Sequence, residues 1–216
     1  MVCTPLHAVS RIQGFAPSII LTGRNPQTGD VQIGVDSPGV RSRTRLSSNG
    51  LVSLDVRGAK GIGREGERQL AETLRTKLQQ EGVSARVSAG QDNRGEDAIF
   101  NANGHTLVVQ AVTAPAESEF WFEASAGLAS RQVDSPDVVQ LLRRAILDKV
   151  RKYPLSQRAN ILLAIDARHA GVLASKPVVD GYLGRYGSPG VEFGFASVWV
   201  VGPTGEYCCR LGAGAL

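Results

Sequence analysis

Two oxygen-bearing side chains flank a tight turn in the stretch GEDAIFNANGHTLVVQAVTA, residues 95 to 114. Asp97 precedes the turn and Gln110 follows it. The Asn103-Gly104 pair is typical of a two-residue hairpin loop, because a type I′ turn requires positive φ at both central residues. Carboxylate and amide oxygens are the kind of ligand that a hard cation such as Mg²⁺ takes in proteins. The stretch therefore predicts a hairpin whose two strands carry a candidate metal site.

The turn also determines which residues of the hairpin face one another. If the Asn-Gly pair forms the loop, Ala102 lies opposite His105. Counting outward from there places Asp97 opposite Gln110, and directly opposed residues have Cβ atoms about 4.5–5.5 Å apart. Val112 lies two residues beyond Gln110 and points to the same face, because side chains alternate along a strand. The two candidate ligands and Val112 are therefore expected on one face of the hairpin.

A third acidic side chain comes from the segment before the hairpin. Residues 64 to 81 carry leucines every four positions, and Gly82 stands where a C-terminal helix cap belongs. Glu67 lies three residues before Leu70 and so falls on the apolar stripe, whereas Glu65 falls on another face. A carboxylate on the buried face of a first turn needs a partner or a purpose. Glu67 is therefore a candidate site residue, although a negative charge near a helix N-terminus is favourable in itself.

Three consecutive segments, GREGERQLAETLRTKLQQEGVSARV, RGEDAIF and HTLVVQAV, resemble the core of the restriction-endonuclease-like nucleases, specifically their Mrr-like branch. That branch has a glutamate that opens a helix, a glycine that ends it, a strand, an aspartate, and a strand that ends in Gln-x-Lys. On this resemblance Glu67 matches the helix glutamate and Asp97 the metal-binding aspartate. Gln110 matches the glutamine. The resemblance covers residues 61 to 113 and does not extend to residues 1 to 60.

The resemblance implies Mg²⁺-dependent hydrolysis of DNA phosphodiester bonds, with the metal held by Asp97 and Gln110. The sequence departs from the family at Val112, which replaces the lysine of the motif. In such sites the lysine positions or activates the attacking water and offsets transition-state charge, and losing one such contact costs on the order of 10²–10³ in rate. Lys149 is the candidate replacement, because it lies at the edge of the apolar stripe of the next predicted helix. Some members of the superfamily relocate their lysine to that helix.

Two alternatives to an active nuclease stay open. In the first, the site is degenerate and the fold serves only to bind nucleic acid or a protein partner. In the second, the chain is a generic α/β interaction domain, which predicts that Asp97 lies in an ordinary turn and that Gln110 is exposed. Lys149 would then be an edge lysine whose aliphatic stem covers apolar surface.

Positive charge is concentrated in the N-terminal quarter. The net charge is +4, and residues 1 to 60 account for it with seven basic and three acidic side chains. In the extended stretch VRSRTRL, Arg41, Arg43 and Arg45 share one face. Basic side chains on a groove-facing strand supply sequence-independent affinity for phosphates, so these arginines are candidate nucleic-acid contacts. The alternative is an ordinary solvated strand face.

The order of segments predicts a mixed α/β fold in two parts. Residues 1 to 60 form a β-rich segment, and residues 61 to 216 form a restriction-endonuclease-like domain with a mixed sheet flanked by helices. The stretch RGAKGIG is the expected hinge between the parts. A second helix follows Ser135, which is its expected cap residue, and ends at Tyr153. After it, NILLAIDA and FASVWVVG predict buried strands, and EYCCRL a strand that pairs back.

The hydropathy and the cysteine content of the chain bear on its compartment and its partners. No stretch approaches the roughly 18 consecutive apolar residues of a membrane span, and the N-terminus lacks the pattern of a secretory signal. Three cysteines, two of them adjacent, are too few for a disulfide framework or a zinc cluster. We therefore expect a cytoplasmic protein with no membrane partner. Nucleic acid, with DNA favoured, is the expected partner, and a protein partner or a homodimer stays open.

Overall fold

The computed structural model describes residues 19–59, 63–90, 96–102 and 104–213. Within these ranges the chain forms two β-sheets and six α-helices, which confirms the predicted mixed α/β class. No helix of this described part is long and apolar enough to cross a membrane. The strands are β1 (Ile19–Arg24), β2 (Val31–Ser37), β3 (Val40–Leu46), β4 (Leu51–Arg57), β5 (Ala85–Ala89), β6 (Ala98–Ala102), β7 (His105–Thr113), β8 (Leu128–Asp134), β9 (Ile161–Asp166), β10 (Ser197–Val201) and β11 (Cys208–Arg210). The helices are α1 (Arg64–Gln80), α2 (Ser118–Ala126), α3 (Ser135–Lys152), α4 (Leu155–Arg158), α5 (Lys176–Tyr186) and α6 (Pro189–Phe193).

The first sheet, sheet A, is antiparallel with strand order β1-β2-β3-β4-β8. Strands β1 to β4 follow one another as hairpins, which agrees with the turn-rich, alternating sequence of the N-terminal segment. The fifth strand comes from much later in the chain, and it places Arg57 of β4 opposite Leu128 of β8. Sheet A therefore contains strands from both of the segments expected from the sequence.

The second sheet, sheet B, is mixed, with strand order β11-β10-β9-β7-β6-β5. Strands β7, β9 and β10 are parallel to one another, whereas β5, β6 and β11 run antiparallel to their neighbours. The predicted hairpin register is confirmed, because Ala102 lies opposite His105. Gly104 has φ of 80°, as a type I′ turn requires, while Asn103 lies outside the described residues. The predicted strands of the C-terminal half are confirmed as β9, β10 and β11.

Sheet B is covered on both faces. Helix α1 packs on one face through Leu70, Leu74 and Leu78, in a core that includes alternate residues of β7. Helix α3 packs on the other face and also contacts sheet A, so that it lies between the two sheets. The residues of β7 that face α1 are Leu107, Val109 and Ala111, and the residues that face α3 are Val108, Gln110 and Val112.

One feature differs from the expectations. Helix α3 begins at Ser135, and Asp134 with its extended backbone is the cap residue, so the predicted Ser135 cap is wrong by one position. The segment EFWFEA, whose sequence suits either a strand or a helix, belongs to α2. In the expected hinge, residues 60 to 62 lie outside the described residues.

The turn after β4 contains a close backbone contact whose effect on stability can be tested. Gly58 has φ of 74°, and a Cβ there would lie 1.8 Å from the carbonyl oxygen of Gly39. Gly39 has nearly the same φ, 77°, but a Cβ there meets open space. We expect Gly39→Ala to cost about 1–2 kcal/mol of unfolding free energy for its backbone strain. Gly58→Ala should cost at least about 2 kcal/mol more because the turn must move. Urea denaturation of both variants measures the difference, and equal costs would show that the close approach does not constrain the fold.

Candidate functional site

Asp97 lies immediately before β6 and is bonded to the backbone of β7. Its Oδ2 accepts a hydrogen bond from the N–H of Ala111 at 2.6 Å, and its own N–H donates to the carbonyl of Val109 at 3.3 Å. Those two residues flank Gln110 in the sequence. The regular ladder ends at Ala98 opposite Val109, one position before the predicted pair. The Asp97 carboxylate is thus hydrogen-bonded to the backbone of β7, at the residue that follows Gln110.

Gln110 is buried, with 2% of its surface exposed. Its Oε1 accepts a hydrogen bond from the hydroxyl of Tyr153, the residue that follows α3. The burial differs from the exposure that a generic interaction domain predicts for this glutamine. Tyr153 was expected from the sequence only as the end of a helix, and its contact with Gln110 was not anticipated.

Lys149 lies one helical turn before Tyr153 and is half-buried. Burial lowers the pKa of Lys149 below its ordinary value, and the charge of Lys152 lowers it further. The negative charges of Asp97 and Glu67 act in the opposite direction and raise it. The Lys149 amine is therefore within the electrostatic range of both predicted carboxylates, as a lysine relocated from position 112 would have to be.

Glu67 is half-buried in the first turn of α1, where its N–H donates to the carbonyl of Gly63 at 2.9 Å. Helices α1 and α3 lie on opposite faces of sheet B. Val112 faces α3 on the same side as Gln110 and packs against the apolar core, so it offers no polar group to the site.

A buried ion pair at the end of β9 holds α1 in place. Asp166 accepts hydrogen bonds from Arg168 at 2.8 Å (Nε) and 2.9 Å (Nη2). The third nitrogen of Arg168 donates to Oε1 of Gln69 at 2.9 Å. Burial alone would raise the pKa of Asp166, but the charge and hydrogen bonds of Arg168 outweigh it, so that this pKa is lowered. The Asp-Ala-Arg sequence directly after a fully apolar strand was the available sequence signal for this pair.

His169 follows the ion pair and is a second titratable group in this region. Its Nδ1 is buried and has no hydrogen-bond partner within the described part of the chain. Its ring lies 6.4 Å from the ring of Trp121. Burial lowers the pKa of His169, and although Asp166 acts to raise it, burial prevails.

The three candidate arginines share the exposed face of β3, as predicted, but each has an acidic neighbour. This proximity reduces the positive charge that they can offer to phosphates. They also belong to sheet A, whereas the candidate metal ligands belong to sheet B, and the structure does not bring the two sets together. The pairs are Arg41 with Asp36 at 3.0 Å, Arg45 with Asp30, and Arg43 with Asp55 in the opposite register position.

Asp97 and Gln110 carry oxygen ligands of the kinds that the implied Mg²⁺ ion takes. Mg²⁺ is commonly bound by one or two carboxylates and keeps several waters. Asp97 and Gln110 supply one carboxylate and one amide oxygen, with Glu67 as the second acid of the region. Among residues 19–59, 63–90, 96–102 and 104–213, however, no group of three or more His, Cys, Asp or Glu side chains is arranged to hold a metal.

Comparison of the chain with models of known protein families, with curated proteins and with solved structures finds no match in any of the three.

The buried ion pair predicts a strong and specific loss of stability. Arg168→Met should lower the unfolding free energy by about 3–5 kcal/mol, because it leaves the buried Asp166 carboxylate without its partner. The matched control is Arg151→Met, which breaks an exposed pair with Asp148 and should cost less than about 1 kcal/mol. Chemical denaturation of both variants measures these costs, and similar losses would contradict the importance given to burial.

His169 predicts a dependence of stability on pH. Its folded pKa lies below its unfolded value near 6.5, so the unfolded state binds more protons and stability is lost as pH falls below about 6.5. The loss contributed by this one group is at most about 1.4 kcal/mol per pH unit. Denaturation curves between pH 5 and 7 should show a shallower dependence in His169→Gln. His105→Gln, at an exposed histidine, should keep the dependence of the parent, and an unchanged slope in His169→Gln would refute the assignment.

Proposed function

We propose that this chain is a Mg²⁺-dependent nuclease of the restriction-endonuclease-like superfamily, Mrr-like branch, that hydrolyses DNA phosphodiester bonds. Lys149 takes the role of the motif lysine that Val112 replaces. The observation that supports this proposal is that Lys149 is half-buried and that the negative charges of Asp97 and Glu67 raise its pKa against the effect of burial. A lysine with only a surface role has no need of two acidic groups from different elements.

Each residue then has a distinct task. Asp97 and Gln110 would hold the metal, and Glu67 would add negative charge to the region. When bound, Mg²⁺ polarises the scissile phosphate and lowers the pKa of a water molecule. Lys149 orients the attacking water and offsets the negative charge that develops on the phosphate oxygens. Its lowered pKa makes exchange of a proton with that water easier than for an ordinary surface lysine.

A second candidate function is a non-catalytic module that binds nucleic acid or a protein partner. The observation that favours it is the hydrogen bond from Tyr153, which already occupies one of the two lone pairs on Gln110 Oε1. An amide oxygen that accepts a hydrogen bond from a tyrosine hydroxyl has a structural role without any metal. In this alternative Asp97, Glu67 and Lys149 have no catalytic role, and their opposite charges serve only the stability of the fold.

A cleavage assay on plasmid DNA with and without Mg²⁺ tests the proposal. We expect Mg²⁺-dependent cutting by the parent, and a loss of about 10²-fold or more in Asp97→Asn and in Lys149→Ala. Lys176→Ala is the matched control, since it removes an exposed lysine that pairs with Asp180, and its rate should be unchanged.

Moving the lysine back provides a sharper test. Val112→Lys in the Lys149→Ala background should restore part of the lost rate, because residue 112 lies on the same face of β7 as Gln110. If the parent does not cut, or cuts at the rate of Asp97→Asn, the nuclease proposal is wrong and DNA binding by the parent becomes the measurement of interest.

A further inference from the structure

The last turn of α3 is joined to β7 by a side-chain hydrogen bond. The hydroxyl of Tyr153 donates to Oε1 of Gln110. Gln110 is buried, so water does not readily replace the bond, and the buried oxygen loses its partner if the hydroxyl is removed. The Tyr153 ring packs at the edge of the core between the two sheets, which limits the positions that its hydroxyl can take.

Tyr153 is also bonded to the turn that carries Lys149. Its N–H donates to the carbonyl of Lys149 at 3.0 Å, and its own carbonyl accepts a hydrogen bond from Nε of Arg158 at 2.9 Å. The helix ends here, because Tyr153 has an extended backbone and Pro154 follows. The last turn of a helix frays unless other groups hold it.

The side chain of Lys149 depends on this anchoring more than a short side chain would. A lysine side chain is long, so a small rotation of its backbone can move its amine by a larger distance. Lys149 must also keep its half-buried location, where burial and the charge of Asp97 both act on its amine. A fixed last turn is the simplest way to meet both requirements.

We propose that Tyr153 is a positioning residue, which holds Lys149 in place by tying the last turn of α3 to Gln110. Part of this inference rests on the proposed nuclease function, since it gives Tyr153 a role in catalysis through Lys149. The mechanical part, that the hydroxyl fixes the lysine, holds whether or not the site is active.

The test compares two Tyr→Phe variants that each remove one Tyr–Gln hydrogen bond involving α3 or its end. Tyr153→Phe removes the bond to Gln110, and Tyr186→Phe removes the bond between Tyr186 and Gln140. The first readout is the NMR signal of the Lys149 side chain, assigned with Lys149→Arg, together with amide hydrogen exchange over residues 149–153. Tyr153→Phe should shift the signal and speed the exchange about tenfold, while Tyr186→Phe changes neither.

The second readout is DNA cleavage. Tyr153→Phe should lower kcat about tenfold with KM unchanged, because the DNA still binds but the amine is misplaced. Tyr186→Phe should leave both constants unchanged, which excludes a general effect of destabilisation.

The two readouts separate the two proposals. If the Lys149 signal and the exchange rates are the same in Tyr153→Phe as in the parent, the positioning role is refuted, whatever the cleavage assay shows. If they change but the parent does not cut DNA, the nuclease function fails and the anchoring role stands. An increase in kcat in Tyr153→Phe would also overturn the inference, because the hydroxyl would then be blocking Gln110 rather than positioning Lys149.

Discussion

The alternation of side chains along β7 is the constraint on which the rest of sheet B depends. Successive residues of a strand point to opposite faces, so β7 sends apolar residues towards α1 and Gln110 towards α3. The strand is fixed on both sides, by antiparallel pairing with β6 and parallel pairing with β9. A slip of one residue would exchange the two sets of side chains and would bury the glutamine among the leucines of α1. Every contact of the candidate site follows from this register.

Local features of the fold could be predicted from the sequence, and contacts between distant segments could not. The Asn-Gly turn predicts the hairpin register, and the leucine spacing predicts α1, because each is determined within a few residues. The bond between Tyr153 and Gln110 joins residues 43 positions apart, and the bond between Arg168 and Gln69 spans 99 positions. No periodicity reports such contacts. They arise from how the helices dock, which a single sequence does not reveal.

The arginines of β3 show the same limit in electrostatic terms. Their common face was predictable, since it depends only on the alternation within one strand. The acidic neighbours of Arg41 and Arg45 were not predictable, because they depend on how β2 and the turn before it lie alongside β3. Counting charge along a segment therefore overstates the field that a partner meets once the sheet has formed. Lys149 is the opposite case, because two acids from other segments, Asp97 and Glu67, act on its charge and raise its pKa.

Strand β8 is synthesised well after β4, the strand with which it pairs, and this order affects folding during translation. Asp55 and Ser130, which are hydrogen-bonded in neighbouring strands, are separated by 75 positions in the chain. The first four strands emerge long before their fifth neighbour, so the outer edge of β4 stays open while β5, β6 and β7 of sheet B are synthesised. An open edge is a template for unwanted pairing with other nascent chains, which makes this interval the vulnerable stage of biogenesis.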